Sequence, residues 1–250
     1  MNEKENEIVV YWAPAFNPDD QKDPWLRAHG SLVYPDPKSL HSDLMSEKNP
    51  ERGPSTFLSC AAAVSSFNRT AVFYNSIDCT YDYDLSDIEN PKVVPKEERY
   101  LNFAVRRPPA LIDKPTVEFQ LRYSFFCEEP LEMSITPPMF HKPRYTKYAT
   151  AVPGQFNIGR WFRPFVFEIQ LWESVGSLSF EAGEPLFYAK FDTNKKIRMQ
   201  RFVYTKQLEM YSATSVNFYK NEKSLDKRYD LFESTSMREL VLKEIKDNIV

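Results

Sequence analysis

Between Val117 and Phe125 the chain alternates without interruption. Val117, Phe119, Leu121, Tyr123 and Phe125 are separated by Glu118, Gln120, Arg122 and Ser124. Successive side chains on a strand point to opposite faces, so this run fits a strand with one face in a core and the other in polar surroundings. A helical period does not fit it. Phe165, Phe167, Ile169 and Leu171 repeat the pattern, and Leu178 and Phe180 do so briefly before a turn at Ala182-Gly183. Shorter strands are expected at Ile8–Trp12, Ser31–Tyr34, Thr70–Tyr74, Cys79–Tyr83, Leu131–Ile135, Leu186–Phe191 and Ile197–Tyr204, with turns at Asn75-Ser76 and Thr193-Asn194. Many short strands separated by turn signals indicate a sandwich or barrel. Composition agrees: 19 Phe, 14 Tyr and 19 Pro against six Gly suit pleated surfaces with rigid connections.

The rest of the chain is read as connection, with one exception. Residues 38–55 and Asp84–Glu98 read as polar loops, and Phe57–Val64 as either a short helix or a buried strand. After a polar stretch from Asn221 to Asp230, Met237, Leu240, Val241, Ile245 and Ile249 fall at helical spacing. Ser236 and Glu239 are placed for a capping box. The expected architecture is therefore mostly β: a jelly-roll or cupin-like double-sheet sandwich over 1–230 with long Pro-rich loops. A C-terminal helix over 231–250 packs on the body or on a partner.

A net charge of −3 provides no excess of cations to neutralise phosphates, which argues against bulk nucleic-acid binding. No apolar run reaches the length of a membrane span, and the N-terminus is too polar for a signal peptide, so the expected location is the cytoplasm of a cell or a particle, such as a virion, assembled within one. Cys60, Cys79 and Cys127 are widely spaced and form no CxxC pair, which suits buried free thiols rather than zinc.

Two constellations carry candidate chemistry. His41-Ser42-Asp43 with His141 supplies the two imidazoles and one carboxylate of a non-haem iron site, and Arg144 or Arg160 could clamp the carboxylate of 2-oxoglutarate. Against that, His41 and His141 both sit in Pro-rich, loop-like surroundings, and HxD is a common chance tripeptide. Cys127 with His141 could form a thiol–imidazole pair, but the flanking signatures of cysteine hydrolases are missing, and a structural thiol fits better. The second constellation is the segment Pro153–Pro164, where Arg160, Trp161 and Arg163 place forked donors beside an aromatic face. That combination suits a binding surface; the other reading of the segment is a connection that plugs the open end of the sandwich.

The runs Glu129–Met133, Val152–Pro164 and Gly183–Tyr188, with Tyr11–Pro14 near the start and a closing helix, resemble proteins without assigned function encoded by tailed marine phages of the cyanophage type. More distantly, the strand after Gly183-Glu184-Pro185 is similar to bacterial cupin-like proteins, although it lacks the clustered His of a cupin metal centre. The resemblance implies a phage origin and a cupin-like fold, and no activity. It leaves three functions. One is a non-catalytic binding or assembly protein, with a protein or small-ligand partner and self-association into an oligomer, and without a cofactor. The alternative is an Fe(II)/2-oxoacid-dependent oxygenase using His41, Asp43 and His141. A sugar- or nucleotide-modifying jelly roll without metal is a third.

Overall fold

The computed structural model describes residues 6–15, 34–46, 57–76, 78–87, 90–96, 103–106, 116–218 and 222–250. Strand β7 (Thr116–Cys127), the alternating run, organises the first sheet. β6 (Phe103–Arg106) pairs with its first half, and β1 (Glu7–Pro14) with its second. Also paired with β7 is β11 (Pro164–Leu171), beyond which lies β9 (Ala149–Ala151). β14 (Lys196–Arg201) runs parallel to β1; the other pairings among the described strands are antiparallel. A second sheet has the order β10 (Gly154–Asn157), β8 (Glu132–Thr136), β13 (Pro185–Phe191), β3 (Thr70–Tyr74), β2 (Lys38–Ser39). A third contains β12 (Val175–Phe180), β4 (Cys79–Asp84) and β5 (Lys92–Pro95).

The two large sheets pack face to face on aromatic rings. Phe73 of β3 meets Trp12, Tyr123 and Phe125 edge-on at centroid distances of 5.7, 5.3 and 5.3 Å. The third sheet covers one end through Tyr81 and Phe180, which pack on Phe119. Val117, Phe119, Tyr123 and Phe125 are buried in this core, as the alternation predicts. The side chain of Leu121 lies outside the described residues.

Both outer faces of the sandwich are covered as well. On the second sheet, α1 (Leu40–Ser46) and α2 (Ala61–Phe67) bury Val72, Tyr74 and Tyr188 under Leu40, Leu44, Leu58 and Phe67. On the first, α3 (Lys206–Phe218), α4 (Leu225–Glu233) and α5 (Met237–Asp247) bury Tyr11, Ala13 and Phe126 under Leu208, Phe232, Val241 and Ile245. Strands covered on both faces lose their polar alternation, which is why all of Thr70–Tyr74 is buried.

Several sequence expectations are corrected. Three C-terminal helices stand where one was expected, and α4 includes much of the stretch read as a polar connection. α1 lies in a supposed loop, and β5 in the charged Asp84–Glu98 segment. β3 and β4 do not form a hairpin across Asn75-Ser76, nor do β13 and β14 across Thr193-Asn194; each pair separates into different sheets. Ser236 makes no side-chain cap; the Thr235 hydroxyl instead accepts a hydrogen bond from the Met237 amide. Cys79 and Cys127 are buried, but Cys60 is exposed. The strand expected at Ser31–Tyr34 falls mostly outside the described residues. No described helix is long and apolar enough to cross a membrane.

Candidate binding site

Of the proposed iron ligands, two meet. Helix α1 carries Asp43 beneath the second sheet, and the loop after β8 brings His141 to it. His141 Nε2 lies 2.8 Å from Asp43 Oδ2, with the two side chains 6% and 10% exposed. The Tyr74 hydroxyl donates to Asp43 Oδ1, and the Tyr188 hydroxyl bonds His141 Nδ1 while accepting from the Phe140 amide at 3.1 Å. Burial pulls the Asp43 carboxyl upward. Hydrogen bonds from His141 and Tyr74, with the charges of His141 and Lys38, outweigh that pull and hold it below the usual carboxylate range. His41 is two residues from Asp43 on the same helix, a spacing that turns side chains away from each other. Among the described residues no group of three or more His, Cys, Asp or Glu side chains is placed to hold a metal. Asp43 and His141 spend their donor atoms on each other and on tyrosines, so they form a closed polar network rather than an open set of metal ligands. The two proposed clamps for 2-oxoglutarate are also engaged internally: Arg144 pairs with Glu181, and Arg160 with Asp230 and Glu233. Cys127 is buried in the main core, and burial pushes its thiol up to about 11, away from a reactive thiolate.

The segment Pro153–Pro164 begins as β10 at the edge of the second sheet and then passes to the helix-covered face of the first sheet at Trp161 and Phe162. Its backbone is held from above: the Asn157 amide donates to the Tyr229 hydroxyl at 2.7 Å, and Arg238 Nε donates to the Gly159 carbonyl at 3.2 Å. Gly159 is required by closeness, since a Cβ there would sit 2.1 Å from the Glu129 carbonyl oxygen. Trp161 and Phe162 then point into the second core, 4% and 0% exposed.

The three residues singled out from sequence here have different roles. Arg160 crosses to α4, placing one terminal nitrogen 2.8 Å from Asp230 and 2.9 Å from Glu233, with its guanidinium 5.1 Å from the centre of the Tyr229 ring. It is a clamp between loop and helix. Trp161 fills the core under that clamp. Arg163 lies with its guanidinium 5.1 Å from the Trp161 ring centre, and Arg228 of α4 lies 5.5 Å from the same ring. Neither has a carboxylate at ion-pair distance among the described residues; Arg163 Nε donates to the Pro164 carbonyl and Arg228 Nε to the Glu222 carbonyl. Burial, and then Arg228, lower the Arg163 guanidinium from its usual value, while Glu118 opposes them. The buried Trp161 Nε1 has no hydrogen-bond partner. Arg228, 65 positions from Arg163 on a helix not foreseen from the sequence, was not among the residues singled out there.

Two like charges are thus held against one indole with no carboxylate at ion-pair distance among the described residues, and stacking on the ring positions both forks. Comparison with known proteins returns no matching family model, and no curated protein or solved structure matches the chain significantly.

Proposed function

We propose that this chain is a non-catalytic binding or assembly protein that takes an acidic segment of a protein partner on the Arg163–Trp161–Arg228 surface. The observation that carries this reading is the unneutralised arginine pair on Trp161. Two guanidiniums kept close in a partly dry setting repel each other, and a carboxylate bound between them would remove that cost while using forked donors. The network around Asp43 and His141 supports the same reading from the other side, because the chain's buried acid–imidazole pair is consumed internally. The phage origin and the jelly-roll or cupin-like identity belong to this proposal too, on the strength of the resemblance and of the two facing, largely antiparallel sheets.

Titration with a polyglutamate peptide at low salt tests the site. The expected result is saturable binding that weakens with salt, is lost in the Arg163→Ala/Arg228→Ala double variant and persists in Arg160→Ala. Equal binding by the double variant and the unaltered protein would overturn the assignment.

A further inference from the structure

A second, separate cleft lies at the end of the sandwich closed by the third sheet. The short 3-10 turn Arg144–Lys147 crosses over β12 and leaves a cavity of about 530 Å³, lined by Lys142, Arg144, Thr146, Lys147, Tyr148 and Ser179. That volume falls within the usual range of small-ligand sites.

The charges in this cleft are not balanced. Arg144 is neutralised by Glu181, with Glu184 3.9 Å away. Lys142 and Lys147 have no carboxylate at ion-pair distance among the described residues, and both are exposed. Lys147 instead places its ammonium 5.1 Å from the centre of the Tyr148 ring. Tyr148 is 38% exposed, so part of its aromatic surface is open to solvent beside Lys147, in a cleft that Lys142 also lines. Trp172, 42% exposed, is joined to it through a backbone bond from its amide to the Tyr148 carbonyl at 2.8 Å. The Ser179 hydroxyl, which shares a 3.1 Å hydrogen bond with Thr80, adds a neutral polar group to the wall.

The floor beneath this group is rigid. Tyr145 is buried within the same turn, stacked on Phe180 with centroids 5.3 Å apart and bonded through its hydroxyl to the Leu186 carbonyl. Tyr145 therefore anchors the backbone of the turn from which Lys147 and the adjoining Tyr148 project, which lowers the ordering cost of binding.

From this geometry we propose that the cleft binds a nucleotide. The phosphates would engage Lys142 and Lys147, and the base would lie against Tyr148. Compact ammonium groups suit phosphate as point charges, and an exposed aromatic face accepts a base without sequence preference. A single mononucleotide site is compatible with a net charge of −3, because it needs two local cations rather than a basic surface. The site is independent of the Arg163–Trp161–Arg228 surface, and either can fail alone.

Isothermal titration with ADP, pyrophosphate and adenosine at low salt tests it, on the full chain and on Lys142→Ala/Lys147→Ala and Tyr148→Ala. These substitutions are at exposed positions, and unchanged urea midpoints will show that the variants are folded. The proposal expects saturable ADP binding in the millimolar range or tighter. The double lysine variant should weaken both ADP and pyrophosphate by about tenfold or more. Tyr148→Ala should weaken ADP and adenosine and leave pyrophosphate unchanged. Absence of ADP binding at millimolar concentration, or ADP binding unaffected by the lysine variant, would overturn it. Pyrophosphate binding as tight as ADP, with Tyr148→Ala silent, would reduce the site to a phosphate site and overturn the nucleotide assignment.

Discussion

The outer face of the second sheet and the outer face of the first are both roofed by helices, but they treat polar groups in opposite ways. Under α1 and α2, the acid and the imidazole are buried together and joined to Tyr74 and Tyr188, so each charge finds its partner within the fold. Under α4, Arg163 and Arg228 share one indole and have no carboxylate at ion-pair distance among the described residues, while Arg160 three residues earlier is doubly paired. A buried polar group is costly until it is satisfied, and the protein satisfies it internally where the role is structural. Charge left unsatisfied at a partly exposed edge is what a partner can complete. The contrast separates two sets of residues that looked equally chemical in sequence.

The largest effect should come from the closed network. Asp43→Ala removes the acid, and with it the contact that His141 and the Tyr74 hydroxyl each make to it. Breaking one side of a buried pair typically costs about 3–5 kcal/mol, and urea denaturation should read that loss. The pH dependence follows in sign. Asp43 titrates below its unfolded value of about 3.9, so its contribution is fully present above that pH and is lost as the pH falls through the lower folded value. Asp43→Asn should therefore flatten the acid limb of the stability curve relative to the unaltered protein. A variant that loses under about 1 kcal/mol and keeps the acid limb would mean that this face is not closed, and the contrast between the two faces would collapse.

Smaller in size, but sharper on the other face, is Gly159→Ala. The added methyl would meet the Glu129 carbonyl oxygen at 2.1 Å and the Pro130 Cα at 3.0 Å, both backbone atoms that cannot swing aside. Overpacking of this kind costs about 1–3 kcal/mol. It should also displace Trp161, so near-ultraviolet circular dichroism should change along with the urea midpoint. The matching change at Gly154, where an added Cβ meets nothing within 4 Å, should leave both signals as they are.

How much of this was legible in the sequence depends on the range of the interaction. Strand periodicity is local, so β7, β11 and β13 could be read from Val117–Phe125, Phe165–Leu171 and Leu186–Phe191 almost directly. Pairing is not local: Asn75-Ser76 looks like a hairpin turn, yet β3 and β4 leave it for different sheets. The Asp43–His141 contact joins positions 98 apart, and only the roof of α1 over the second sheet brings them together. Helix α4 was hidden because its buried face is carried by only Tyr229 and Phe232 in a run of charges. Without that helix, Arg160 and Arg163 could not be told apart. Their partners Asp230, Glu233 and Arg228 all lie on it.

The smallest predicted effect tests that distinction. Arg160→Ala removes two charge-assisted contacts to α4, but both are largely exposed: the Arg160 side chain is 26% accessible, Glu233 36% and Asp230 70%. Water and salt screen such pairs, and holding long side chains in one geometry costs entropy, so the expected loss is about 0.2–1 kcal/mol, shrinking further as salt is raised. The docking of α4 does not depend on it, because Phe232 is fully buried and Tyr229 still accepts the Asn157 amide. Partner binding should survive as well, since Arg163 and Arg228 keep their places on Trp161. A loss above about 2 kcal/mol would show that Arg160 acts as a buried rather than a surface pair, and the helical face would then resemble the closed one. Retained stability with abolished polyglutamate binding would move the anion site from Arg163 and Arg228 onto Arg160 itself.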